Sequence, residues 1–507
     1  MVDKKNFKVL FIDLNNDDVF NHGVRSMHSY LKREGIFVDT VYLTGDESSI
    51  FEPLPQEKLN GLLRYCGSFD VIGLSILSHH MIPKARQISD CLRKEIKVPF
   101  IWGGNPVICD PHYFLGICDY VCLGEGEYFM LQLCEKMISG RSFHDIENLG
   151  YKDKDGKTRL NPVMKFVDVK SLPPSNFDLD HCYVIKDRMV SFKESRETLQ
   201  KSCSSYGYRV FPIRGCAFSC TYCSNNVLKE KFKDSGKLIR SYDLPTYMKE
   251  LEYAKEVIPG LKKIIFYEDD FFVRTEKMIE ELCVLYKEKI DLPVQMNATF
   301  HSLKEKKLEI LNRHGVEIKW IRLGLQSGSE KTSREIFGRR FDSRLFKDRL
   351  ELLFQKKIPA FIDMISENPF ETNKERCETV AFLHDLLDEI YYKNRREMKK
   401  LVQMRDHKLM YYPGTQLYYE GLRRKFIDEG YVENVLFKRS TLRRAEDINL
   451  EWITMYAFNN AHWIPARLIL KVIRFRWNYR FLNSLIFRKI YRVLRFLYNP
   501  SRPVATR

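Results

Sequence analysis

The chain has 507 residues, 44% hydrophobic and 13% aromatic, with a formal net charge of +16. That length exceeds what a single core fills, so two or three globular domains are expected. No uncharged apolar run of about 18 residues occurs, which excludes a predicted spanning helix, and the thirteen cysteines show no disulfide-like rhythm. The apolar run in MVDKKNFKVLFIDLNN is too short for a signal peptide, so a reducing cytoplasm is expected, where clustered thiols bind metal more often than they pair.

Residues 1–150 read as alternating strands and helices. FKVLFIDL is a buried strand, GVRSMHSYLKREG an amphipathic helix ending at Gly35, and IFVDTVYL a second strand. The order repeats through FDVIGLSIL, the helical MIPKARQISDCLRKEI, VPFIWGG, CDYVCLG and a helix opening at EGEYFMLQLCEKM. Elements of these lengths predict a parallel, doubly wound α/β sheet of Rossmann-like type. Such sheets take ligands beyond the carboxyl ends of their strands, where Ser75, Gly103 and Gly104 fall. No GxGxxG follows the first strand, so a dinucleotide is not expected. Residues 151–204, with Pro173 and Pro174 forcing an extended path, read as a linker.

Residues 205–420 open with FPIRGCAFSCTYCSNN, which sets Cys216, Cys220 and Cys223 in a C-x3-C-x2-C spacing. Thiolates are soft ligands for zinc or iron-sulfur clusters. A structural zinc site would need a fourth protein ligand, and no His or Cys follows at finger-like spacing, Cys283 being the nearest later cysteine. The spacing fits a 4Fe-4S cluster held by three thiolates, which leaves one iron open to a substrate or cofactor. Downstream, the apolar run KKIIFYEDDFF ends in Glu268, Asp269 and Asp270, and IKWIRLGLQSGSEK carries Gln326 and Ser327.

This C-x3-C-x2-C pattern, with the aromatic Tyr222 before the last cysteine, resembles the radical SAM enzymes. The resemblance implies a partial (β/α) barrel whose cluster loop follows the first strand, here VFPIRGC. It implies that the open iron chelates S-adenosylmethionine, and that one electron from the cluster cleaves it to a 5'-deoxyadenosyl radical. Tyr222, Glu268, Asp270, Gln326 and Ser327 are the residues it implies for that cosubstrate, with the acidic pair at the methionine amino group and Gln326 and Ser327 at its carboxylate. SIL, from Ser75 to Leu77, and the pair Gly103–Gly104 match two of the three short patterns of cobalamin-binding domains. The third, D-x-H-x-x-G, is missing, because Asp18, His22 and Gly23 stand at the wrong spacing. His22 is therefore not assigned to cobalt, and the resemblance implies a corrin whose lower face is open. Two segments further on, ENPFET carries Glu367 and Phe370 where cobalamin-binding relatives have glycines, and YYPGTQLY resembles their barrel-closing turn.

Residues 421–507 read as a helical region with a basic amphipathic tail. From Pro465 to Arg507 there are eleven Lys or Arg and no Asp or Glu, so 11 of the net +16 sits there. Leu468, Val472, Phe475, Tyr479, Leu482, Ile486, Ile490, Val493 and Leu497 recur at steps of three and four, one stripe of a helix. The favoured reading is an interfacial helix on an anionic leaflet, against a helix packed on the barrel.

A cobalamin-binding radical SAM enzyme is thus expected, transferring a methyl group to an unactivated carbon of a small-molecule or lipid-like substrate. It would take electrons from a flavodoxin or ferredoxin and sit in the cytoplasm or at the inner face of the membrane. The alternatives are radical cyclisation, rearrangement or oxidation without methyl transfer, and a non-catalytic cluster- or zinc-binding sensor or electron-transfer protein. A tRNA methylthiotransferase would normally add further cluster cysteines and an RNA-binding barrel; the sequence shows neither, so no nucleic-acid partner is expected.

Overall fold

The structure, a computed structural model, describes residues 4–14, 19, 21–43, 51–185, 188–386, 401–438, 455 and 459. The basic tail from Pro465 to Arg507 lies outside the described residues. The chain divides into two compact units: residues 1–217, 222–262 and 411–439 make the first, and residues 218–221, 263–410 and 440–507 the second.

The first unit is built on a nine-stranded sheet. Its strands are β1 (Lys8–Asp13), β2 (Phe37–Tyr42), β3 (Val71–Ser75), β4 (Phe100–Gly103), β5 (Tyr120–Cys122), β6 (Leu149–Lys152), β7 (Thr158–Leu160), β8 (Cys182–Ile185) and β9 (Met189–Ser191). They lie in the order β7-β6-β5-β4-β3-β1-β2-β8-β9. From β5 to β8 every pairing is parallel. KVLFID is a near-continuous apolar run because its strand is covered on both faces, and Val9, Leu10, Phe11 and Ile12 are all buried. Helices α1 (His22–Arg33), α2 (Gln56–Cys66) and α3 (Ile82–Leu92) make the crossovers between the central strands. After β2 is laid on one side of β1, the chain crosses to add β3, β4 and β5 on the other, so the switch point of this topology lies between β1 and β3.

Residues 151–204, read from the sequence as a linker, instead extend the sheet at both edges. β6 pairs antiparallel with β5 and β7 with β6, while β8 adds parallel to β2 and β9 folds back on β8. The segment VFPIRGC, expected as one strand, is broken into β10 (Tyr208–Val210) and β11 (Ile213–Arg214). Pro212 has no N–H to continue a ladder, and its carbonyl instead accepts from Tyr242 N at 2.9 Å. β11 then pairs antiparallel with β12 (Arg240–Ser241).

Two buried polar networks fix this part of the first unit. Arg25 of α1 is 1% exposed and donates to Ser175 O at 2.9 Å, to Arg209 O at 3.2 Å, to Glu250 Oε1 at 3.4 Å and to the Tyr208 hydroxyl. Tyr208 OH donates to the same Glu250 oxygen at 2.8 Å. Burial opposes the guanidinium charge, yet Tyr208 and Glu250 hold Arg25 protonated above its ordinary value. The second network joins the start of the helix Gly126–Ile138 to the cysteine loop and is described below.

In the second unit, β13 (Ile264–Phe266), β14 (Val294–Ala298), β15 (Ile318–Gln326), β16 (Ala360–Ser366) and β17 (Val402–Lys408) pair parallel in chain order. Helices Glu276–Lys289, Glu305–Arg313, Ser343–Gln355 and Asn373–Leu386 follow the first four strands in turn. This is the (β/α) repeat that the sequence led us to expect.

Arg25→Ala is expected to lower stability by about 3–5 kcal/mol, because it leaves Glu250, 4% exposed, as a buried carboxylate without its cation. Urea unfolding followed by circular dichroism measures this, and an unchanged midpoint contradicts it.

Candidate functional site

At the switch point of the first unit, Asp13 and Ser75 end β1 and β3 and stand in register. Asn21 bridges them: its Nδ2 donates to Asp13 Oδ1 at 3.0 Å and to Ser75 Oγ at 2.8 Å. The same side chain caps α1, its Oδ1 accepting from Val24 N at 3.3 Å. Ser75 pairs in turn with Gly103 at the end of β4, and Ile76 N donates to Gly103 O at 2.8 Å. Gly104 has φ +113°, and a Cβ there would lie 2.0 Å from the carbonyl oxygen of Ile76. Only glycine lets the two backbones approach so closely. Beside this floor Leu77 is 43% exposed, a large apolar side chain facing solvent at a strand end. The structure thus brings Ser75, Leu77, Gly103 and Gly104 to one edge of the sheet and adds Asp13 and Asn21.

His22, the first residue of α1, packs its ring 5.4 Å from Phe211 and 5.8 Å from Tyr242. Burial, then the charges of Arg25 and Arg214, push its pKa well down, so the ring is neutral.

The cysteine loop is rooted by the second network. Arg214, two residues before Cys216, donates to Glu127 Oε1 at 2.6 Å, Tyr242 OH at 2.7 Å, Ser26 Oγ at 3.1 Å and Glu125 Oε1 at 3.1 Å. Arg240 of β12 grips both oxygens of Glu125 at 2.8 and 2.9 Å. Between this root and the thiols, Gly215 has φ +92°, and a Cβ there would meet the Leu238 carbonyl oxygen at 2.3 Å. Cys216 and Cys223 are half-buried, Tyr222 likewise, and Cys223 is the N-cap of the helix Ser224–Lys231.

Cys220, buried, belongs to the second unit with its neighbours 218–221. Thr221 anchors it, donating from N to Phe337 O at 3.2 Å and from Oγ1 to Ile336 O at 2.5 Å. Arg339 brings a guanidinium nitrogen to 4.0 Å from the Cys220 sulfur and also donates to Gly324 O at 3.3 Å. The guanidinium thus sets a positive charge beside this sulfur. Among the described residues no three His, Cys, Asp or Glu side chains are arranged as a metal site. The fit to a cluster rests on donor chemistry: three soft ligands within eight residues and a positive charge beside one of them.

The carboxyl ends of the second unit's strands gather the remaining candidates. Glu268 is 2% exposed and ion-paired to Arg274 at 2.5 Å, while Asp270 accepts from Phe272 N, Thr299 Oγ1 and Ser302 Oγ, each at 2.9 Å. Burial pushes both carboxyls above their ordinary pKa. The two acids singled out for an ammonium group are therefore held by internal partners, and Asp269 between them is the exposed one.

Gln326 sits at a bulge with φ +61°, a left-handed conformation costly for a non-glycine residue, and its buried Oε1 has no hydrogen-bond partner. Ser327 is 1% exposed; its hydroxyl lies 3.0 Å from Thr379 Oγ1 and accepts from Ser329 N at 3.1 Å. Of that pair, Gln326 keeps an unsatisfied acceptor. In ENPFET, Glu367 adopts φ +56°, so the chain keeps there a conformation that glycine takes without strain. Next to it Asn368 is fully buried with Nδ2 unpartnered. Asn368 and Arg339 were not found from sequence, since nothing in their spacing marks them. Asn21 could have been found, because Asn directly before an amphipathic run is an N-cap pattern.

Residues 13–133 match the B12 binding domain family and residues 210–383 the radical SAM superfamily. The chain belongs with the proteins that join a B12-binding domain to a radical SAM domain. A curated relative, an uncharacterized methyltransferase (PH0819) of Pyrococcus horikoshii, is 23% identical over 323 residues, covering 62% of this chain and 64% of its own length. The chain thus spans less than two-thirds of that relative. Among solved structures, the radical S-adenosylmethionine methyltransferase TsrM from Kitasatospora setae, with tryptophan and a cosubstrate analogue bound, matches with a TM-score of 0.63 at 15% identity. That match covers 82% of this chain and 76% of the other. The cobalamin-dependent S-adenosylmethionine radical enzyme OxsB, solved with aqua-cobalamin and S-adenosylmethionine, matches with a TM-score of 0.65 at 16% identity, over 97% and 75% of the two chains. At these identities the two structures show a shared fold.

The environment of Glu268 predicts a structural role. Glu268→Ala leaves Arg274 buried without its carboxylate and is expected to cost about 3–5 kcal/mol. Asp269→Ala, at an exposed position, is expected to stay within about 0.5 kcal/mol of the parent. Parallel urea titrations decide it; equal stability of the two variants contradicts the assignment.

Proposed function

We propose that this chain is a cobalamin-dependent radical S-adenosylmethionine methyltransferase acting on a small-molecule or lipid-like substrate. The observation that carries the reading is the cysteine loop, rooted through Arg214 and Arg240 on Glu125 and Glu127 of the B12-binding domain, because one chain then offers thiolates for a cluster and a strand-end floor for a corrin. When bound, the cluster supplies the electron that cleaves S-adenosylmethionine and the cobalamin carries the methyl group.

Cys216, Cys220 and Cys223 would hold the cluster, and Arg339 beside Cys220 would offset thiolate charge. Ser75, Leu77, Gly103 and Gly104 would bed the corrin, with Gly104 allowing the close backbone approach. Gln326 would offer its free oxygen to the cosubstrate; Ser327, Glu268 and Asp270 would support that wall, and Tyr222 would flank the cluster. A flavodoxin- or ferredoxin-like donor would supply electrons. Among the described residues no helix is long and apolar enough to cross a membrane. The lipid-like substrate and contact with an anionic leaflet rest on the sequence from Pro465 to Arg507.

Protein reconstituted anaerobically is expected to hold about four irons per chain and to release 5'-deoxyadenosine or S-adenosylhomocysteine from S-adenosylmethionine. Alanine at any of the three cysteines abolishes the cluster, whereas Gln326→Ala keeps it and weakens cosubstrate binding about tenfold. Tetrahedral zinc with no brown chromophore in native protein sinks the reading. Full-length protein is further expected to float with vesicles containing anionic lipid, and a chain ending at Trp463 to remain behind. Equal flotation of the two overturns the membrane part alone.

A further inference from the structure

Among the described residues of the first unit, one imidazole has both ring nitrogens buried without a hydrogen-bond partner. His79 follows β3 by four residues, two beyond the exposed Leu77. It is 4% exposed, and neither ring nitrogen has a hydrogen-bond partner. A buried polar atom without a partner costs about 1–3 kcal/mol, so two in one ring mark this imidazole as a candidate ligand. The ring plane is held by Tyr412, stacked at 5.6 Å and 28°. Burial, and next the neighbouring His80, push the His79 pKa down to about 4, so at neutral pH the ring is uncharged and keeps a lone pair. A neutral imidazole is a common ligand for transition metals.

We propose that His79 gives a ring nitrogen to the cobalt of the bound cobalamin. The proposal rests on the cobalamin-dependent reading above and departs from the open lower face that the sequence resemblance implies. His79 lies on the segment that continues from Ser75 and Leu77, at the edge where Gly104 makes the close backbone approach, and binding there would satisfy one of its two orphaned nitrogens. His22 is the competing imidazole. Its Nδ1 is also unpartnered, but its ring is wedged between Phe211 and Tyr242 beside two guanidinium groups whose charge disfavours a cation close by. His80 is the nearby control, a less buried neighbour facing Phe51 at 5.6 Å.

The test is electron paramagnetic resonance of the full chain carrying cob(II)alamin. Wild-type protein is expected to show nitrogen superhyperfine splitting, a triplet on each cobalt line that becomes a doublet when only the histidines carry nitrogen-15. That label separates protein imidazole from the cofactor's own benzimidazole and needs no variant. His79→Ala is expected to lose the doublet while still binding cobalamin by absorbance, and His80→Ala to keep it. A wild-type spectrum unchanged by the label, or a doublet that survives His79→Ala and disappears in His22→Ala, overturns the assignment and leaves the proposed function standing. Failure of the wild-type chain to bind cobalamin at all removes both.

Discussion

The structure depends on how two arginines, Arg214 and Arg240, are neutralised. They flank the cysteine loop on the short ribbon of β11 and β12, and both reach Glu125 at the start of the helix Gly126–Ile138, with Glu127 and Ser26 closing the network. Desolvating these charges is costly, and the cost is offset only because every contact is made at once: a bidentate grip on Glu125, a second carboxylate, and hydroxyls from Ser26 and Tyr242. Arg214 is held well above its ordinary pKa by Glu127, Tyr242 and Glu125 against the opposing effect of burial. The root of the loop, two residues before Cys216, is therefore fixed by the helix start that follows β5.

A second constraint runs through both units. At strand carboxyl ends some buried polar groups are satisfied internally and others are not. Asn21 joins Asp13 to Ser75, Glu268 takes Arg274, and Asp270 takes Thr299 and Ser302. His79, Gln326 and Asn368 are among the described residues whose buried polar atoms lack a partner. Gln326 and Glu367 also hold left-handed backbone without being glycine. Strain and unsatisfied polarity thus fall together where β15 and β16 end.

Much of this was legible in the sequence, and the legible part follows from local physics. Apolar runs such as KVLFID and VIGLS, with amphipathic helices between them, determined the doubly wound sheet, because a strand covered on both faces has few other compositions available. Three cysteines in eight residues determined the metal chemistry to expect, since thiolate softness and spacing are properties of the chain itself. The glycines at 103 and 104 stood out as a pair at a strand end.

What only the tertiary structure decided is which polar groups find one another across long stretches of chain. Glu268 and Asp270 are equivalent carboxylates in the sequence, but Arg274 and the hydroxyls of Thr299 and Ser302 turn them inward and leave Asp269 outside. The segment 151–204 looked like a linker because its strands are short and separated by a stretch carrying Pro173 and Pro174; only pairing to β2 and β5 makes them strands. His79 has no sequence pattern at all, and its significance comes wholly from burial beside Tyr412 with nothing to bond. Composition and periodicity are summed over neighbours in sequence, whereas satisfaction of a buried donor or acceptor depends on partners that folding brings from 150 or 225 residues away, as Arg25 shows with Ser175 and Glu250.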